Sequence, residues 1–239
     1  MKSRWPVLVV LAATCALGVP ATASAALSTS TFDDTVTIFS DSPSEKNAAT
    51  IQLDDDLGLV FTDQDAGVSP GSCPVVGDKI ACDLNDIKHL RVELGGGNDT
   101  FAIFDARLIG LPRIRLITGS GNDNIFSFAP VDVSLGPGND TAELGPVADK
   151  ADGGGGNDTI IGSAGDDLLK GGSGNDTLDG GTSGNSSGFG KSDGVDTFIG
   201  GPGKDKILAK DLTKDKKIDC GSGKDKAKRD SFDPKPKSC

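Results

Sequence analysis

A nine-residue unit repeats in phase from residue 135 to residue 179, and this repeat restricts the fold more than any other feature of the chain. A complete unit has a glycine-rich turn, aspartate at the sixth position and an apolar residue at the eighth. Examples are GGGGNDTII (153–161), GSAGDDLLK (162–170) and GGSGNDTLD (171–179). A short fixed period indicates a stack of similar units in which each contacts only its neighbours. The repeat therefore predicts an elongated solenoid.

Each unit divides into a six-residue turn and a three-residue strand. Glycine tolerates a left-handed backbone and close approach of chains, so the turn can point peptide carbonyls inward at a shared centre. The apolar eighth residue then faces a narrow core between two sheets. These eighth residues are Phe101, Ile125, Ile160, Leu169, Leu178, Phe198 and Ile207. Two units make one coil of a flattened parallel solenoid, with coils about 4.8 Å apart.

The same geometry places the aspartates in two columns, one along each edge of the solenoid. Units outside the regular stretch join the pattern after small changes in length, so the predicted roll covers residues 94–208. Counting alternate units assigns one edge to Asp99, Asp123, Asp140, Asp158, Asp176 and Asp196. The other edge receives Asp149, Asp167, Asp205 and Asp225, with Asn185 in a gap.

Stacked carboxylates repel each other by about 3 to 4 kcal/mol per neighbouring pair at an effective dielectric of about 20. Burial of one eighth-position side chain contributes about 1.5 to 3 kcal/mol, which does not clearly exceed that repulsion. A hard cation held by the carboxylates and the inward carbonyls turns the net repulsion into net attraction. Calcium suits a flexible, oxygen-only cage better than magnesium, which requires a tight octahedron and retains water. The pattern therefore predicts calcium as the bound ion.

These units resemble the G-G-x-G-x-D-x-U-x nonapeptide of RTX, or haemolysin-type, calcium-binding repeats. With IDCGSGKD at 218–225 and a last cysteine at Cys239, the whole layout resembles small secreted calcium-binding proteins of actinobacteria. The resemblance implies a right-handed parallel β-roll whose ions lie between consecutive turns, held by sixth-position aspartates and turn carbonyls. The implied ligands are Asp99, Asp123, Asp140, Asp149, Asp158, Asp167, Asp176, Asp196, Gly154, Gly156, Gly165, Gly172 and Gly174.

Lysines depart from this pattern in the carboxyl-terminal units. Lys191, Lys204, Lys206, Lys224 and Lys226 lie in or beside the turns of KSDGVD, GGPGKD and CGSGKD. A positive side chain lowers the negative field that attracts a cation. Calcium binding is therefore expected to be weaker in these units than in residues 135–179.

Residues 26–93 show short apolar runs separated by turn residues and no helical period, which predicts an amino-terminal β segment. Four cysteines follow residue 25, and an exported chain meets oxidising conditions, so disulfides are expected. Four cysteines permit three pairings, of which sequence separation favours Cys73–Cys82 and Cys220–Cys239. Zinc is the competing use. None of these cysteines forms a C-x-x-C pair, and the chain has a single histidine, His89.

The two ends of the chain differ in character from the repeats. Lys2 and Arg4 precede an apolar run at 7–19 and the small residues ATASAA, which is typical of a secretory signal cleaved after Ala25, with Ala23 as the competing position. No segment is apolar for long enough to predict a membrane span. Residues 201–239 carry twelve basic and seven acidic side chains, although the whole chain has a net charge of −11. Residues 209–239 are predicted to cap the last coil.

Calcium binding competes with three other readings of the sequence. In the first, calcium stiffens a cell-surface adhesion or structural module that contacts a cell-envelope component. In the second, the roll accompanies a hydrolase or toxin. GNSSG at 184–188 matches the G-x-S-x-G elbow, but no helix pattern or downstream histidine follows it, so no enzyme activity is predicted. In the third, the basic tail binds nucleic acid, but its lysines alternate with aspartates and its only aromatic residue is Phe232.

Overall fold

The computed structural model describes residues 27–32, 35–40, 48–54, 58–63, 75–76, 79–82, 89–104, 113–181 and 194–239. Side chains are described at Ala49 and, within those ranges, from Leu90 onward. The predicted leader and Cys73 lie outside the described residues. So do Asn185 and the GNSSG motif.

Every described element is a β-strand, and the strands form two sheets. The first sheet contains, in spatial order, β1 (Leu27–Phe32), β2 (Thr35–Ser40), β7 (His89–Glu93), β9 (Ile114–Ile117), β11 (Val131–Pro137), β13 (Lys150–Gly155), β15 (Leu168–Ser173), β17 (Thr197–Gly203) and β19 (Lys217–Gly223). The second contains β20 (Lys226–Arg229), β18 (Lys206–Ala209), β16 (Thr177–Asp179), β14 (Thr159–Ile161), β12 (Thr141–Glu143), β10 (Asn124–Ser127), β8 (Thr100–Ile103), β3 (Ala48–Asp54), β4 (Gly58–Asp63), β6 (Lys79–Cys82) and β5 (Val75–Val76).

From β7 onward the chain alternates between the sheets, so that one strand of each sheet makes one coil. Neighbouring strands pair in parallel, for example β13 with β15 and β14 with β16. This is the geometry of a parallel β-solenoid, and the predicted all-β fold is confirmed. The part of the chain that the structure describes contains no helix that is long and apolar enough to cross a membrane.

The core is a double row of eighth-position side chains. In the second sheet, Phe101 pairs with Ile125. Leu178 pairs with Ile160 in one neighbouring coil and with Ile207 in the other. All seven predicted core residues are at most 1 % exposed. Complete burial of such side chains contributes about 1.5 to 3 kcal/mol each, which makes this row the principal apolar stabilisation of the roll.

The amino-terminal strands continue the solenoid rather than packing beside it. β2 pairs in parallel with β7, and β3 pairs in parallel with β8. β1 and β4 then join these two strands in antiparallel orientation. The glycine-rich pattern begins at residue 94, but the parallel pairing of the sheets begins earlier, with strands that contain no Gly-Asp turn.

The carboxyl-terminal segment covers the end of the first sheet. Lys237 forms an isolated parallel bridge with Asp219, and its backbone exchanges hydrogen bonds of 2.9 Å with Ile218 and Cys220. A disulfide joins Cys220 and Cys239, as predicted. Pairing of Lys237 with the last strand blocks part of an otherwise open sheet edge, which is a common protection against edge-to-edge association.

Candidate metal centre

The turns of the solenoid form two edges. We call the turns that lead from the first sheet to the second the first edge, and those that lead back the second edge. An aspartate immediately precedes each second-sheet strand from β8 to β20, for example Asp158 before β14. On the second edge, Asp149, Asp167 and Asp196 immediately precede β13, β15 and β17. Because each coil repeats this placement, the carboxylates lie in register above one another.

A ladder of hydrogen bonds fixes the carboxylates of the first edge. The backbone N–H of each aspartate donates to Oδ1 of the aspartate in the next coil, at 2.8 to 2.9 Å. The ladder runs through Asp99, Asp123, Asp140, Asp158, Asp176, Asp205 and Asp225. One oxygen of every carboxylate after Asp99 is therefore used to connect the coils.

The second edge carries an equivalent ladder. It starts at the backbone N–H of Val131, which donates to Asp149 Oδ1 at 2.8 Å. It continues through Asp167, Asp196, Asp215 and Asp233, with donor–acceptor distances of 2.8 to 3.1 Å. Both edges therefore hold one carboxylate oxygen of each coil in the same way.

The predicted columns are wrong after residue 180. Asp196 lies on the second edge, and Asp205 and Asp225 lie on the first, opposite to the assignment made by counting units. Thr197 pairs with Leu168, so Asp196 stacks on Asp167, 29 residues earlier rather than 18. The strands on either side of residues 182–193 keep the register of the solenoid, so counting units through that segment does not give the correct edge. Asn185, which counting places in the second column, lies outside the described residues.

In most of these aspartates the second carboxylate oxygen is buried without a donor. Among the described residues, buried Oδ2 atoms with no hydrogen-bond partner belong to Asp123, Asp140, Asp149, Asp158, Asp167, Asp176, Asp205, Asp211, Asp215 and Asp225. A buried oxygen without a partner is costly, and a buried charge more so, unless a counter-charge is present. A row of cations would supply the counter-charge that these stacked oxygen atoms lack.

A family model described as RTX calcium-binding nonapeptide repeat (4 copies) matches residues 152–185 and 192–209. These residues are RTX calcium-binding nonapeptide repeats. No curated protein sequence and no solved structure matches the chain significantly. Both aspartate ladders extend beyond the matched residues, to Asp99 at one end and to Asp225 and Asp233 at the other.

The first residue of each nine-residue unit, five positions before the aspartate, is called here the opening residue of the turn. Its size determines how much space lies beside the carboxylate. Gly153 opens the turn of Asp158, and a Cβ added there would collide with both Asp158 Oδ2 and the carbonyl oxygen of Gly171. Two acceptors thus converge on one space, and a cation fits between them where a donor is missing. Gly171 and Gly200 repeat this arrangement beside Asp176 and Asp205.

In the coils nearer the amino terminus, larger residues open the turns of the first edge. Leu94, Thr118 and Leu135 occupy the opening position, and all three are completely buried. Their side chains take space that the glycine-opened turns leave free. The first-edge turns between residues 153 and 205 therefore fit a cation best, whereas Asp99 and Asp123 lie in more crowded turns.

The predicted glycine ligands all adopt the left-handed backbone that the RTX turn requires. The φ angles of Gly154, Gly156, Gly165, Gly172 and Gly174 lie between +97° and +134°. At Gly172 an added Cβ would also collide with the carbonyl oxygen of Gly154 in the preceding coil. Glycine is needed there for both conformation and space. The participation of these carbonyls in ion binding stays a prediction.

Burial raises the pKa of several stacked carboxyl groups well above the ordinary value of 3.8. The pKa rises to about 6 for Asp140, about 7 for Asp149 and about 10 for Asp167. Burial is the largest cause in each case, and neighbouring aspartates raise the pKa further. Without a counter-charge Asp167 therefore holds a proton at neutral pH, Asp149 holds one about half of the time, and Asp140 holds one only below about pH 6. A cation that binds beside a protonated carboxyl group must displace the proton.

Sequence reasoning missed Asp211, Asp215 and Asp233. They lie in turns without the glycines of the repeat, so motif matching does not find them. A signal does exist in the spacing, because Asp215 follows Asp196 by 19 residues and precedes Asp233 by 18. These intervals are close to two repeat units, and extension of the two-unit period would have placed Asp215 and Asp233 on the same edge as Asp196.

Proposed function

We propose that the chain is an exported protein that binds several calcium ions in its RTX turns and that its roll becomes fully ordered when they bind. The single observation that carries the proposal is the stack of buried Oδ2 atoms without donors. RTX turns, oxygen-only surroundings and carbonyl oxygens beside the orphan carboxylates all favour calcium over transition metals, which prefer nitrogen or sulfur ligands.

The residues available to hold calcium are those of the glycine-opened turns. Asp158, Asp176 and Asp205 supply carboxylate oxygens on the first edge, and Asp167 supplies one on the second. A bound calcium ion supplies positive charge that offsets the repulsion along each ladder. In the folded roll the Oδ1 hydrogen bonds keep the carboxylates in register, so that the Oδ2 atoms of successive coils are aligned for the ions.

Export is proposed from the leader-like residues 1–25 and from the Cys220–Cys239 disulfide, since structural disulfides persist in oxidising compartments. Extracellular calcium modules function with dissociation constants of about 10⁻⁴ to 10⁻³ M. In this proposal the chain stays incompletely ordered at the low calcium concentration inside the cell and becomes ordered outside. The proposed activity is binding, and no catalytic step is assigned to the chain.

Replacement of Asp158 by asparagine tests the proposal. Asparagine keeps an Oδ1 acceptor for the Asp140 N–H, which lies 2.9 Å from the carboxylate oxygen, but it replaces the orphan Oδ2 with an amide. We expect calcium affinity at the adjoining sites to fall about tenfold or more, equivalent to about 1.4 kcal/mol. Calorimetric calcium titration measures the change.

The matched control is Asp152→Asn, which removes the same charge from the same coil. Asp152 lies on the outer face, its side chain is 49 % exposed, and it pairs with Lys170 at 3.6 Å. We expect this variant to bind calcium as the unchanged chain does. Equal titrations for Asp158→Asn, Asp152→Asn and the unchanged chain would remove the orphan carboxylates from the binding sites and refute the proposal.

A further inference from the structure

The turn between β18 and β19, residues 210–216, departs from the repeat. We call it the terminal turn. Its sequence KDLTKDK contains no glycine, and it lies outside the residues that match the RTX family. It nevertheless closes the second edge of the solenoid, because Asp215 continues the ladder below Asp196 and Asp233 continues it below Asp215.

Three buried carboxylates meet at the terminal turn. Asp196, Asp211 and Asp215 are all at most 3 % exposed, and one carboxylate oxygen from each lies within 4.8 Å of the other two. At such separations each pair of charges repels by about 3 to 4 kcal/mol with an effective dielectric of about 20. Three carboxylates in one buried site can therefore all be ionised only when a cation compensates their charge.

Asp211 occupies the position at which other turns of this edge have an opening glycine. Gly162 and Gly180 precede the left-handed residues Ser163 and Gly181, and Asp211 precedes the left-handed Leu212 in the same way. An added Cβ at Gly162 would collide with Asp167 Oδ2. In the terminal turn that crowded position carries a carboxylate. The replacement therefore adds a third acidic group beside two that already belong to the ladder.

At Asp211 and Asp215 the donors near the terminal turn satisfy only one oxygen of each carboxylate. Asp211 Oδ1 accepts the Thr213 N–H at 2.7 Å, and Asp215 Oδ1 accepts the Asp196 N–H at 3.0 Å. The Oδ2 atoms of Asp211 and Asp215 are buried and have no hydrogen-bond partner. The ion pairs of the described residues include neither aspartate. A positive charge is therefore missing at the point where the three side chains meet.

We propose that Asp196, Asp211 and Asp215 bind one further calcium ion at a site that the RTX repeat does not encode. Hard oxygen ligands without nitrogen or sulfur select a cation of this class, and three carboxylates supply the charge that calcium sites require. The site shares Asp196 with the second-edge ladder, whereas Asp211 and Asp215 lie outside the residues that match the RTX family.

The proposed site also connects the last coil to the carboxyl-terminal cap. The Asp215 N–H donates to Asp233 Oδ1 at 3.1 Å, and the Leu212 N–H donates to Asp230 Oδ2 at 2.8 Å. Both acceptors lie between Cys220 and Cys239, in the segment whose ends the disulfide joins. A bound cation would hold the terminal turn in the conformation that makes these contacts.

The test counts calcium ions on the full chain by native mass spectrometry at saturating calcium. Asp211→Asn keeps an acceptor for the Thr213 N–H and removes the charge, so we expect one bound ion fewer than in the unchanged chain. Asp152→Asn is the control of equal charge and should lose none. Asp158→Asn reports on the RTX turns alone. An unchanged ion count in Asp211→Asn would overturn the inference.

The variants separate this inference from the proposed function. If Asp158→Asn weakens binding and Asp211→Asn does not, the RTX sites exist and the terminal site does not. If only Asp211→Asn loses an ion, the terminal site exists and the proposed RTX sites fail. Should Asp211→Asn fail to fold, terbium-soaked crystals of the unchanged chain decide the question. An anomalous peak between Asp196, Asp211 and Asp215 is expected, and its absence at full occupancy of other sites overturns the inference.

Discussion

Calcium removal at about pH 8 is expected to abolish most of the β-type circular dichroism contributed by residues 94–208. In this range both ladders keep carboxylates in register, and their Oδ2 atoms lie buried without donors. Repulsion of about 3 to 4 kcal/mol per neighbouring charged pair is as large as the stabilisation from one buried core side chain. Hydrogen exchange of the amides in β13 to β18 localises the loss. Full protection of these amides without calcium would contradict coupled folding.

Protons should partly replace calcium in this experiment. Burial raises the folded-state pKa of Asp140 to about 6, of Asp149 to about 7 and of Asp215 to about 8, from an ordinary value of 3.8. The folded state therefore binds more protons than the unfolded state between about pH 4 and pH 8, and the stability of the calcium-free roll must fall as pH rises through that window. At about pH 5 the calcium-free chain should retain more β structure than at about pH 8.

Calcium affinity should depend on pH in the opposite direction from the stability of the calcium-free roll. An ion displaces the protons that the buried carboxyl groups hold, so calcium affinity should rise with pH over the same window. The pKa of about 10 for Asp167 means that this carboxyl is still protonated at about pH 8 without calcium, and binding beside it must release a proton. Titrations in two buffers of different ionisation enthalpy measure the release. Equal heats in both buffers would show that calcium does not displace these protons.

The repeat pattern predicts most of the roll because each unit repeats the same physical constraints. The eighth-position side chains have to be buried, and Phe101, Leu169 and Ile207 all are. The strands of residues 27–93 also follow from alternation, but their parallel pairing with β7 and β8 does not. That pairing depends on contacts between distant segments, and no turn signal in β2 or β3 indicates it.

The candidate site is predictable only where the period is unbroken. Asp140, Asp158, Asp167 and Asp176 lie on the edges to which counting assigns them. After the insertion at 182–193, counting fails because a solenoid can lengthen one turn without a change in strand register. Asp211 is found only in three dimensions, since its contribution arises from the approach of Asp196 and Asp215 rather than from a motif.

Replacement of Gly156 by alanine is expected to destabilise the roll severely, whereas the same change at the adjacent Gly155 should have little effect. Gly156 has φ +127°, and a Cβ there would collide with the carbonyl oxygen of Gly138 in the preceding coil. Neither the left-handed backbone nor the clash with main chain can be relieved by rotation of a side chain. A left-handed backbone alone costs an alanine about 1 to 2 kcal/mol, and displacement of the neighbouring coil adds to that cost. The total loss should be about 3 kcal/mol or more.

Gly155 is a control for the loss of a glycine because it directly precedes Gly156 in the same turn, at the end of β13. An added Cβ there meets only the Ser173 hydroxyl, at 3.2 Å, and that side chain can rotate away. Removal of glycine also restricts the unfolded chain, which favours folding by about 0.4 to 1 kcal/mol where the native conformation accepts alanine. Urea unfolding of both variants at saturating calcium measures the difference. If Gly155→Ala destabilises the chain as much as Gly156→Ala, loss of glycine as such rather than close packing of successive coils would explain the result. A large difference instead shows that the close approach of the Gly138 carbonyl oxygen to the backbone of the next coil requires glycine at position 156, the fourth residue of the turn.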